Sequence, residues 1–481
     1  MGEAREPFGL IARSLPSARK ARERRRAIII GGGASGTLLA RHLFERDAGL
    51  HVTIIEPRPQ VGHGIAYSTG NPDHLLNVRA ENMSAFPDRP GHFWQWLSER
   101  TPALRAAGRL VADCADPFCF VPRHIYGDYL AELIEPFLTG SGARLQVIED
   151  EAVSIDEGPG GVTVTVASGG HHTADIAVLA TGHEFQAADG EWRADPWGKP
   201  SSTRLPADAP VLILGTGLTM VDHALTLLAS SHRGPIIAMS RRGLLPWGHQ
   251  RCAPYAIKAA EVPVGAPCSE LLRWIRGHVE RHAASGGDWR SVIDGLRPFT
   301  QTLWQGLSPA DRRRFLEHGR AWWDVHRHRM APEVEGRIKQ ALTSGQLRVI
   351  AARLVDIDPA DSGAIVRYRH RGARRTKAIH VVKVVDCRIA PAIPPRAVNP
   401  VLCDLFDRGM ARADALGLGV DVTTDCALVN RGGVASQRIF AAGPLTRAAF
   451  WEIVAIPDIR TQCARLAAHI ERRLAARVAV S

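Results

Sequence analysis

Three glycines near the start of the chain have the spacing of a phosphate-binding turn. Gly31, Gly33 and Gly36 form the pattern G-x-G-x-x-G directly after three isoleucines at positions 28–30, which predict a short buried strand. The first glycine permits a tight turn, the second lets the backbone approach a pyrophosphate, and the third lets the following helix pack closely. Free N–H groups at the start of that helix favour an anion. The stretch therefore predicts a site for the phosphates of a dinucleotide.

An acidic residue ends the next predicted strand, at positions 51–56. Glu56 lies 20 residues after Gly36 (56 − 36 = 20), the distance at which a carboxylate binds ribose hydroxyls. The glycine pattern alone is weak evidence, and a structural glycine turn is the alternative. The full order of strand, glycines, helix, strand and terminal acid favours a bound adenine dinucleotide.

The same plan recurs in the second half of the chain, as an internal repeat. An apolar strand at 211–214 precedes Gly215 and Gly217, and Met220 stands in the place of the third glycine. The residues at 221–228 predict the helix that follows. The chain therefore predicts a second dinucleotide turn, with one departure from the glycine pattern.

The second strand of this repeat, at 235–239, ends in Ser240, Arg241 and Arg242 rather than in an acid. An arginine pair at this place suits a 2′-phosphate, so NADPH is favoured over NADH, with ordinary surface arginines as the alternative. Two sites that end in opposite charges imply two different nucleotides. The pattern predicts FAD at the first site and NADPH at the second.

Each half is also predicted to contain a β-meander. Residues 145–180 predict three strands, at 145–156, 161–168 and 173–180, divided by glycine turns, and the third strand ends at Thr181 and Gly182. Residues 347–386 predict a second set of three strands, which ends at Asp386. Such a meander and its last strand are typical of a dinucleotide-binding domain.

The elements around the first turn are expected to enclose its ligand. The loop at 61–97 is expected to wrap the ligand, and a helix is predicted after Pro122. Arg123 at the start of that helix opposes the helix dipole, which predicts an external anion such as a phosphate, with a surface arginine as the alternative. Near the C-terminus a strand ends at Gly443, and a final helix is predicted from Asp458, with its N–H groups towards the ligand.

A helical insertion is predicted at about 250–345, between the second strand and the second meander. Ser308, followed by a proline, predicts one helix start. An insertion of this size could cover the active site and form a substrate pocket. Its run DVHRHR at 324–329 is open to three interpretations: a metal site, a substrate or phosphate contact, and a packed polar helix. His326 and His328 are two residues apart and would face different ways on a helix, so no metal is predicted.

Length and composition place the chain among ordinary globular proteins of two or three domains, with 481 residues and 45% hydrophobic residues. The net charge of +11 resides in two segments, 1–26 (+5) and 367–377 (+6). The first is predicted to be a disordered basic tail and the second a solvated hairpin around Gly372. Neither interleaves aromatic residues with the charge, so nucleic acid is not an expected partner. No apolar run has the length of a membrane span, and the cytoplasm is the expected compartment.

The eight cysteines show no zinc spacing and no C-x-x-C motif. Cys114 and Cys119 form a C-x4-C pair, the spacing of the redox disulfide in flavin disulfide reductases. The pair lies 78 residues after Gly36 (114 − 36 = 78), far beyond its place in those enzymes, and Pro117 interrupts it. Two buried or half-buried thiols are therefore favoured over a redox pair.

With both halves placed, the sequence resembles the two-dinucleotide-binding-domain flavoproteins, which include glutathione-reductase-type enzymes and flavin-containing and N-hydroxylating monooxygenases. It is more closely similar to a bacterial FAD/NAD(P)-binding protein family, some of whose relatives N-hydroxylate amino acids. The stretches that carry the resemblance are GGGASG, GIAYST, HLLNVRAENMSAFPDRPGHFW, FVPRHIYGDYL, ATG, GTGLTMVD, WDVHRHR and IFAAGPLTRAAFWEIVAIPDIR.

The resemblance implies an α/β fold with two Rossmann-like, glutathione-reductase-type domains, each with a β-meander, and the helical insertion. The implied FAD-binding domain comprises 27–205 and 396–481, and the NADPH-binding domain comprises 206–395. No catalytic side chain is predicted. The predicted cofactor-binding residues are Gly31, Gly33, Ala34, Ser35, Gly36, Glu56, Asn77, Arg79, Met83, Arg123, Thr181, Gly182, Gly215, Gly217, Leu218, Thr219, Ser240, Arg241, Arg242, Gly443 and Asp458.

The sequence departs from the wider group at three places. Gly443 is followed by Pro444 where an aspartate is usual, the second half ends in Asp386-Cys387-Arg388 rather than in an ATG-like run, and the redox disulfide is missing. The last departure disfavours dithiol reduction.

The resulting hypothesis is an FAD-dependent, NADPH-consuming oxidoreductase. NADPH would reduce FAD, and a C4a-hydroperoxyflavin formed with molecular oxygen would hydroxylate a small amine or amino-acid-like substrate in a dry pocket. One alternative is a reductase that passes electrons to a small molecule or protein without oxygen insertion. The other is a nucleotide-sensing module without catalysis.

Overall fold

The computed structural model describes residues 25–110, 114–140, 142–183, 192–197, 205–388, 393 and 398–478. The predicted tail at 1–26 lies almost wholly outside them. The strands are β1 (Arg26–Ile30), β2 (His51–Ile55), β3 (Leu145–Ile148), β4 (Ala152–Gly158), β5 (Gly161–Val166), β6 (His171–Ala174), β7 (Ile176–Leu179), β8 (Arg193–Ala194), β9 (Val211–Leu214), β10 (Ile236–Ser240), β11 (Leu347–Ala360), β12 (Gly363–His370), β13 (Lys377–Val381), β14 (Lys383–Asp386), β15 (Ala427–Val429) and β16 (Ala435–Ala441).

The helices lie between the strands, in the insertion and at the C-terminal end. They are α1 (Ala34–Arg46), α2 (Gly64–Tyr67), α3 (His92–Ala106), α4 (Arg123–Ile134), α5 (Leu218–Ala229), α6 (Cys268–Ala284), α7 (Trp289–Gly295), α8 (Thr300–Gly306), α9 (Pro309–Arg314), α10 (Arg320–Arg327), α11 (Pro332–Thr343), α12 (Pro400–Asp407) and α13 (Ile456–Val478). A π-helical turn at Phe315–Gly319 joins α9 to α10. None of the helices in the described ranges is long and apolar enough to cross a bilayer.

The first sheet contains the first glycine turn. Its strand order is β15-β16-β7-β1-β2-β3, and all neighbours are parallel except β15 and β16. The isoleucines of β1 are buried on both faces because α1 and α13 pack on one side and the meander β4-β5-β6 lies on the other. Parallel strands bring their carboxyl ends to one edge, so the turn after β1 and the end of β7 lie side by side.

The first predicted meander is confirmed, with a correction to its strands. The stretch 145–156, predicted as one strand, is two: β3 joins the parallel sheet and β4 joins the meander. The break lies at an acidic turn, where Asp150 accepts the N–H groups of Glu151 and Ser168. The stretch 173–180 divides in the same way, between β6 and β7.

The second sheet repeats the plan with a different connection. Its order is β13-β12-β11-β10-β9-β14-β8. Here β11 is one strand of 14 residues that pairs in parallel with β10 and then in antiparallel with β12. The sheet and its meander are therefore continuous. The predicted two-domain α/β architecture is confirmed, and the hairpin between β12 and β13 turns at Gly372, with φ of +77°.

The domain boundaries stay predictions, with one observation that bears on the first. Strand β8, at Arg193–Ala194, lies within the range 27–205 yet pairs with β14 of the second sheet. The chain therefore joins the second sheet before residue 205.

The insertion belongs to the second half by sequence and packs on the first half. The indole of Trp304 stacks on Trp451 at 4.7 Å between ring centroids, and its N–H donates to the carbonyl oxygen of Ala448. Arg297 forms an ion pair of 2.8 Å with Asp458 at the start of α13. The predicted cap Ser308 accepts the N–H of Asp311. The insertion therefore bridges the two halves.

Candidate dinucleotide and substrate site

The first glycine turn is as tight as its pattern predicts. Gly31 has a φ of +106°, and a Cβ there would lie 2.4 Å from the carbonyl oxygen of Ala180. A Cβ on Gly36 would lie 2.0 Å from the carbonyl oxygen of Gly31, so α1 packs directly on the turn. No side chain of the described residues caps α1 at Gly33, which leaves its first N–H groups directed towards the space beyond the turn.

Glu56 follows β2 and holds the turn from the side. Its Oε2 accepts the N–H of Gly32 at 2.8 Å, and its Oε1 accepts the N–H of Arg58 at 3.2 Å. The residue is only 5% exposed. Each carboxylate oxygen has a second lone pair, so Glu56 can accept a further hydrogen bond from a ribose hydroxyl.

The second turn has the same shape but a looser contact. Gly215 has a φ of +111° and donates its N–H to the carbonyl oxygen of Met239 at 2.8 Å. A Cβ there would lie 3.4 Å from the carbonyl oxygen of Cys387, an ordinary contact. Gly217 begins α5 without a side-chain cap, and Met220 is fully buried in the place of the third glycine.

The two arginines after β10 differ in what they contact. Arg241 is exposed, lines the cavity described below, and forms no ion pair with the described residues. Arg242 also lines the cavity, but its Nη2 donates to the carbonyl oxygens of Glu317 (3.4 Å) and His318 (3.1 Å) in the π-helical turn. The first arginine is therefore free to bind a phosphate, and the second connects the turn to the insertion.

A single cavity of about 800 Å³ lies between the two glycine turns. Most residues predicted to bind a cofactor line it, from both halves of the chain. They are Gly31, Gly33, Ala34, Ser35, Glu56, Asn77, Arg123, Thr181, Gly182, Gly215, Gly217, Leu218, Thr219, Ser240, Arg241 and Arg242. The structure thus brings the two predicted sites into one space.

Two predicted residues of the 77–83 loop lie away from this cavity. Arg79 forms an ion pair of 3.2 Å with Glu81 and lies over the ring of Phe118. Met83 is buried in the core of the first half. Asn77 remains at the cavity because its carbonyl oxygen accepts the imidazole N–H of His249, from the second half.

Three further predicted residues support the site from behind. Gly36 packs on Gly31, as above. Gly443 has a φ of +72°, and a Cβ there would lie 2.2 Å from the Oγ of Ser35, so the strand end needs glycine. Asp458 is paired with Arg297 of the insertion and does not line the cavity. The carboxylate of Asp458 is occupied by an arginine 161 positions away in sequence. Ile456 and Ile459 of the same helix line the cavity, and a cofactor contact at this helix start stays a prediction.

Arg123, predicted to meet an external anion, has an anionic partner within the chain. Its Nη2 pairs with the Oδ2 of Asp222 on α5 at 2.9 Å, and a further contact with a bound phosphate stays a prediction. Burial raises the pKa of Asp222 to about 6 despite this partner. Beside the pair, Nε2 of His74 donates to the carbonyl oxygen of Asp222 at 3.0 Å. These contacts fix α5 against the first half.

The cavity has the features that a dinucleotide requires at the first turn. A Cβ on Gly33 would lie 3.4 Å from the Cα of Gly64, so two glycines face each other at the turn. The buried Oγ1 of Thr181 has no hydrogen-bond partner among the described residues, and it lines the cavity. Open backbone N–H groups, an acid able to accept more hydrogen bonds and an unpartnered hydroxyl fit the phosphates, ribose and polar ring edge of FAD.

Part of the cavity wall was not predicted from the sequence. His63, Tyr67 and His183 line it from the first half, and Arg447 lines it from the segment after β16. Arg447 could have been noticed in the sequence, because it is the one charged residue between Gly443 and Trp451. Nothing in the sequence showed that this segment would meet the insertion.

The run at 324–329 divides between two environments. His326 packs against Trp247 and Trp289, whereas Asp324 and His328 line the cavity, so the two histidines face different ways as predicted. Asp324 and His328 lie near the buried Glu452, with ligand atoms within 4.8 Å of one another. The interpretation of this run as only a packed polar helix is therefore too simple.

Comparison with known proteins supports this architecture. Residues 28–184 match a protein-family model described as FAD-NAD(P)-binding. None of the curated protein sequences matches the chain. Among solved structures, the reduced form of ornithine hydroxylase from Pseudomonas aeruginosa has a TM-score of 0.61 at 14% identity, over 94% of this chain and 99% of that one.

Two further solved structures are similar in fold. The ornithine N-hydroxylase of Kutzneria sp. 744, with reduced FAD, NADP⁺ and L-ornithine, and the L-lysine 6-monooxygenase of Pseudomonas syringae each have a TM-score of 0.60 at 17% identity. Each likeness covers 93% of this chain and 99% of the other. The chain therefore has the fold of two-dinucleotide-binding-domain flavoproteins, and its first half matches an FAD/NAD(P)-binding family.

Proposed function

We propose that the protein is an FAD-dependent, NADPH-consuming monooxygenase that acts on a small amine or amino-acid-like substrate. The observation that carries the proposal is the single cavity lined by both glycine turns and closed by the insertion. A ring held at one turn can meet a ring held at the other only in such a shared space. The fold shared with two ornithine hydroxylases and a lysine monooxygenase supports the proposal, and so does the family match.

The first turn would hold FAD. The N–H groups at the start of α1 would bind the pyrophosphate, and Glu56 would accept hydrogen bonds from the ribose hydroxyls. The hydroxyl of Thr181 would donate to a polar atom at the ring end of the cofactor.

The second turn would hold NADPH. The N–H groups at the start of α5 would bind its pyrophosphate, and Arg241 would pair with the 2′-phosphate. Ser240, at the strand end that carries Glu56 in the first half, has no charge and so does not repel that phosphate.

FAD, when bound, supplies the oxidation chemistry: it accepts a hydride from NADPH and transfers one oxygen atom from molecular oxygen. The chain supplies position and dryness. Leu316, Val325, Val454, Ile456 and Ile459 line the cavity with apolar side chains, which exclude water from the reacting atoms. The proposal includes oxygen and a small substrate as partners, no nucleic acid, and a cytoplasmic location.

The test begins with the purified protein and added FAD. Anaerobic NADPH should bleach the yellow colour of the bound flavin, and NADH should do so more slowly. Air and a panel of amines and amino acids should then give a hydroxylated product in proportion to the NADPH consumed. Consumption of NADPH with only hydrogen peroxide as product, whatever substrate is offered, would contradict a monooxygenase.

A reductase without oxygen insertion would show itself by fast anaerobic turnover with quinones or dyes. Cys387 provides a control for thiol chemistry, since it is the one cysteine of the described residues that lines the cavity. Cys387→Ser should reduce the flavin with NADPH within about twofold of the parent rate. A loss of reduction in this variant would point to a thiol pathway instead.

A further inference from the structure

One wall of the cavity carries charged groups that the two nucleotides do not require. It is formed by α10 of the insertion with the residue that follows it, and by the segment after β16. Arg320, Asp324 and His328 line it from the insertion, and Arg447 lines it from the segment. We call these four residues the polar wall.

Arg447 is a buried cation without an anion. It is 8% exposed, and no carboxylate of the described residues lies within ion-pair distance of its guanidinium. Its Nε has no hydrogen-bond partner there, and its Cζ lies over the ring of Trp451 at 4.7 Å. A buried charge is costly unless it is paired, so the anion of a ligand would stabilise Arg447.

The electrostatics around Arg447 agree with an open anion site. Burial, with a smaller contribution from Arg320, lowers the pKa of Arg447 to about 10. Burial, together with the positive charge of Arg447, lowers the pKa of His183 to about 4. Arg447 therefore stays charged near neutrality, His183 stays neutral, and an anion would relieve the repulsion between the arginines.

An acceptor for a hydrogen-bond donor lies on the same wall. The Oδ2 of Asp324 accepts from the Nε of Arg320 at 3.3 Å, but its buried Oδ1 has no partner among the described residues. His328 lies one turn further along, with Nε2 at 3.5 Å from the Oε2 of Glu452. Both Asp324 and Glu452 are close enough to raise the pKa of Arg447.

Glu452 is held so that it stays ionised behind the wall. It is 2% exposed, with a φ of +71°, and its Oε1 accepts the indole N–H of Trp323 at 2.8 Å. Its Oε2 lies 3.4 Å from the Nε of Arg327. The charges of His328 and Arg327 and the Trp323 hydrogen bond keep its pKa well below the usual range, against the effect of burial.

Asp324, His328 and Glu452 could in geometry share one cation. The charges around them oppose this. Arg320 pairs with Asp324, and Arg327 pairs with Glu452, so both carboxylates already face a guanidinium. With Arg447 added, three arginines surround the cluster, and a divalent ion would be repelled.

We propose that Arg447 binds a carboxylate of the substrate, while the amino group of the same molecule faces Asp324. The substrate would then be a small zwitterion with both groups, rather than a simple amine. The inference rests on the proposed function, which it makes more specific. A guanidinium binds a carboxylate through two parallel hydrogen bonds, so Arg447 would determine specificity by position as well as charge.

The test uses binding as well as turnover. The FAD-loaded protein is titrated with L-ornithine, L-lysine, L-aspartate and glycine, and with the carboxamide of each. Binding is followed by the change in flavin absorbance and by the rise in melting temperature. At least one amino acid should bind about tenfold or more tightly than its carboxamide. Equal binding of acids and carboxamides, or no binding by any of the panel, would overturn the proposal.

Variants then test whether Arg447 is the residue that binds the carboxylate. Arg447→Gln should weaken binding of the preferred acid by about 30-fold and leave its carboxamide within about twofold. Arg447→Lys should restore part of the loss, since it keeps the charge but not the paired geometry. Arg312→Gln is the matched control: Arg312 lies over Trp304 of the same stacked indole pair, at 5.3 Å, but does not line the cavity. Arg312→Gln should bind the preferred acid and its carboxamide as tightly as the parent does.

Two other readouts separate this proposal from the function on which it rests. Flavin content and the anaerobic rate of flavin reduction by NADPH should be unchanged in Arg447→Gln. If the variant loses flavin or slows this reduction while binding of the acid is unchanged, the anion of Arg447 belongs to a cofactor and the inference is wrong. If the parent binds the acid selectively but makes no hydroxylated product, the anchor stands and the monooxygenase proposal fails.

Discussion

The first glycine turn is closed by a carboxylate, and the second is closed by a hydroxyl. Glu56 accepts the N–H of Gly32 at the first, whereas the Oγ of Ser240 accepts the Thr216 hydroxyl and the N–H of Gly243 at the second, both at 2.9 Å. A carboxylate beside a 2′-phosphate would repel it. The difference teaches that two turns of similar backbone shape can favour different nucleotides through the group that ties each turn.

The turns also differ in how closely a helix packs on them. At the first turn, Gly36 is required because a Cβ there would lie 2.0 Å from the carbonyl oxygen of Gly31. At the second, Met220 fills the same place and is fully buried in the core of its half. The first turn is therefore more sensitive to an added methyl group than the second.

The largest expected effect comes from adding that methyl group. Gly36→Ala must displace α1 or the turn, so the free energy of unfolding should fall by about 2 to 3 kcal/mol. The bound flavin should be lost because the N–H groups of the turn move with the helix. Urea unfolding and the flavin-to-protein ratio measure the two effects.

Gly217→Ala adds a methyl group to the second turn, where the position equivalent to Gly36 is already occupied by Met220. A Cβ on Gly217 meets no atom within 4 Å among the described residues, and the φ of Gly217 is −85°. The loss of stability should stay within about 1 kcal/mol, with flavin retained. Equal losses in the two variants would contradict the difference between the turns.

The next effect concerns the contact between the halves and depends on pH. Burial and Arg123 lower the pKa of His74 to about 4, from 6.5 in the unfolded chain. The contribution of His74 to the free energy of unfolding is present above pH 6.5. It is lost as the pH falls to 4, because the unfolded chain then binds more protons than the folded one. The loss should be about 2 to 3 kcal/mol.

His74→Asn should remove this part of the pH dependence, measured by urea unfolding between pH 4 and 7. Asp222 acts in the opposite direction, because its raised pKa of about 6 makes its contribution fall as the pH rises from 3.8. The parent and His74→Asn share the contribution of Asp222, so the difference between their pH profiles of unfolding free energy reports on His74 alone. The exposed His318→Asn serves as control, and the same pH profile in parent and His74→Asn would disprove the assignment.

The smallest expected effect distinguishes the two arginines of the second turn. Arg241→Gln should raise the KM for NADPH in anaerobic flavin reduction by about tenfold, with NADH unchanged, through loss of one charged hydrogen bond. Arg242→Gln should change the KM for NADPH less, because the guanidinium of Arg242 contacts the carbonyl oxygens of Glu317 and His318. A larger rise of this KM in Arg242→Gln than in Arg241→Gln would show that Arg242, not Arg241, binds the 2′-phosphate.

The sequence predicted what depends on neighbouring residues. Both glycine turns, the helix after Pro122, the cap at Ser308 and the hairpin at Gly372 are present because each depends on local backbone geometry. The break between β3 and β4 was missed, although the acidic turn at 149–151 marked it.

What the sequence could not predict depends on distant partners. The pairing of Arg123 with Asp222 joins residues 99 positions apart (222 − 123 = 99), and that of Arg297 with Asp458 joins residues 161 apart. The role of Arg447 rests on the insertion packing against the segment after β16. Such contacts follow from the assembled fold and have no signature in local spacing.

The stacked indoles of Trp304 and Trp451 have a consequence for how the molecule melts. The insertion is covalently part of the second half, yet its Trp304 stacks on an indole of the first. Neither half can unfold without exposing an indole that the other half covers. Heating should therefore give one cooperative transition rather than two, and the near-ultraviolet signal of this indole pair should vanish at the same temperature as the helical signal.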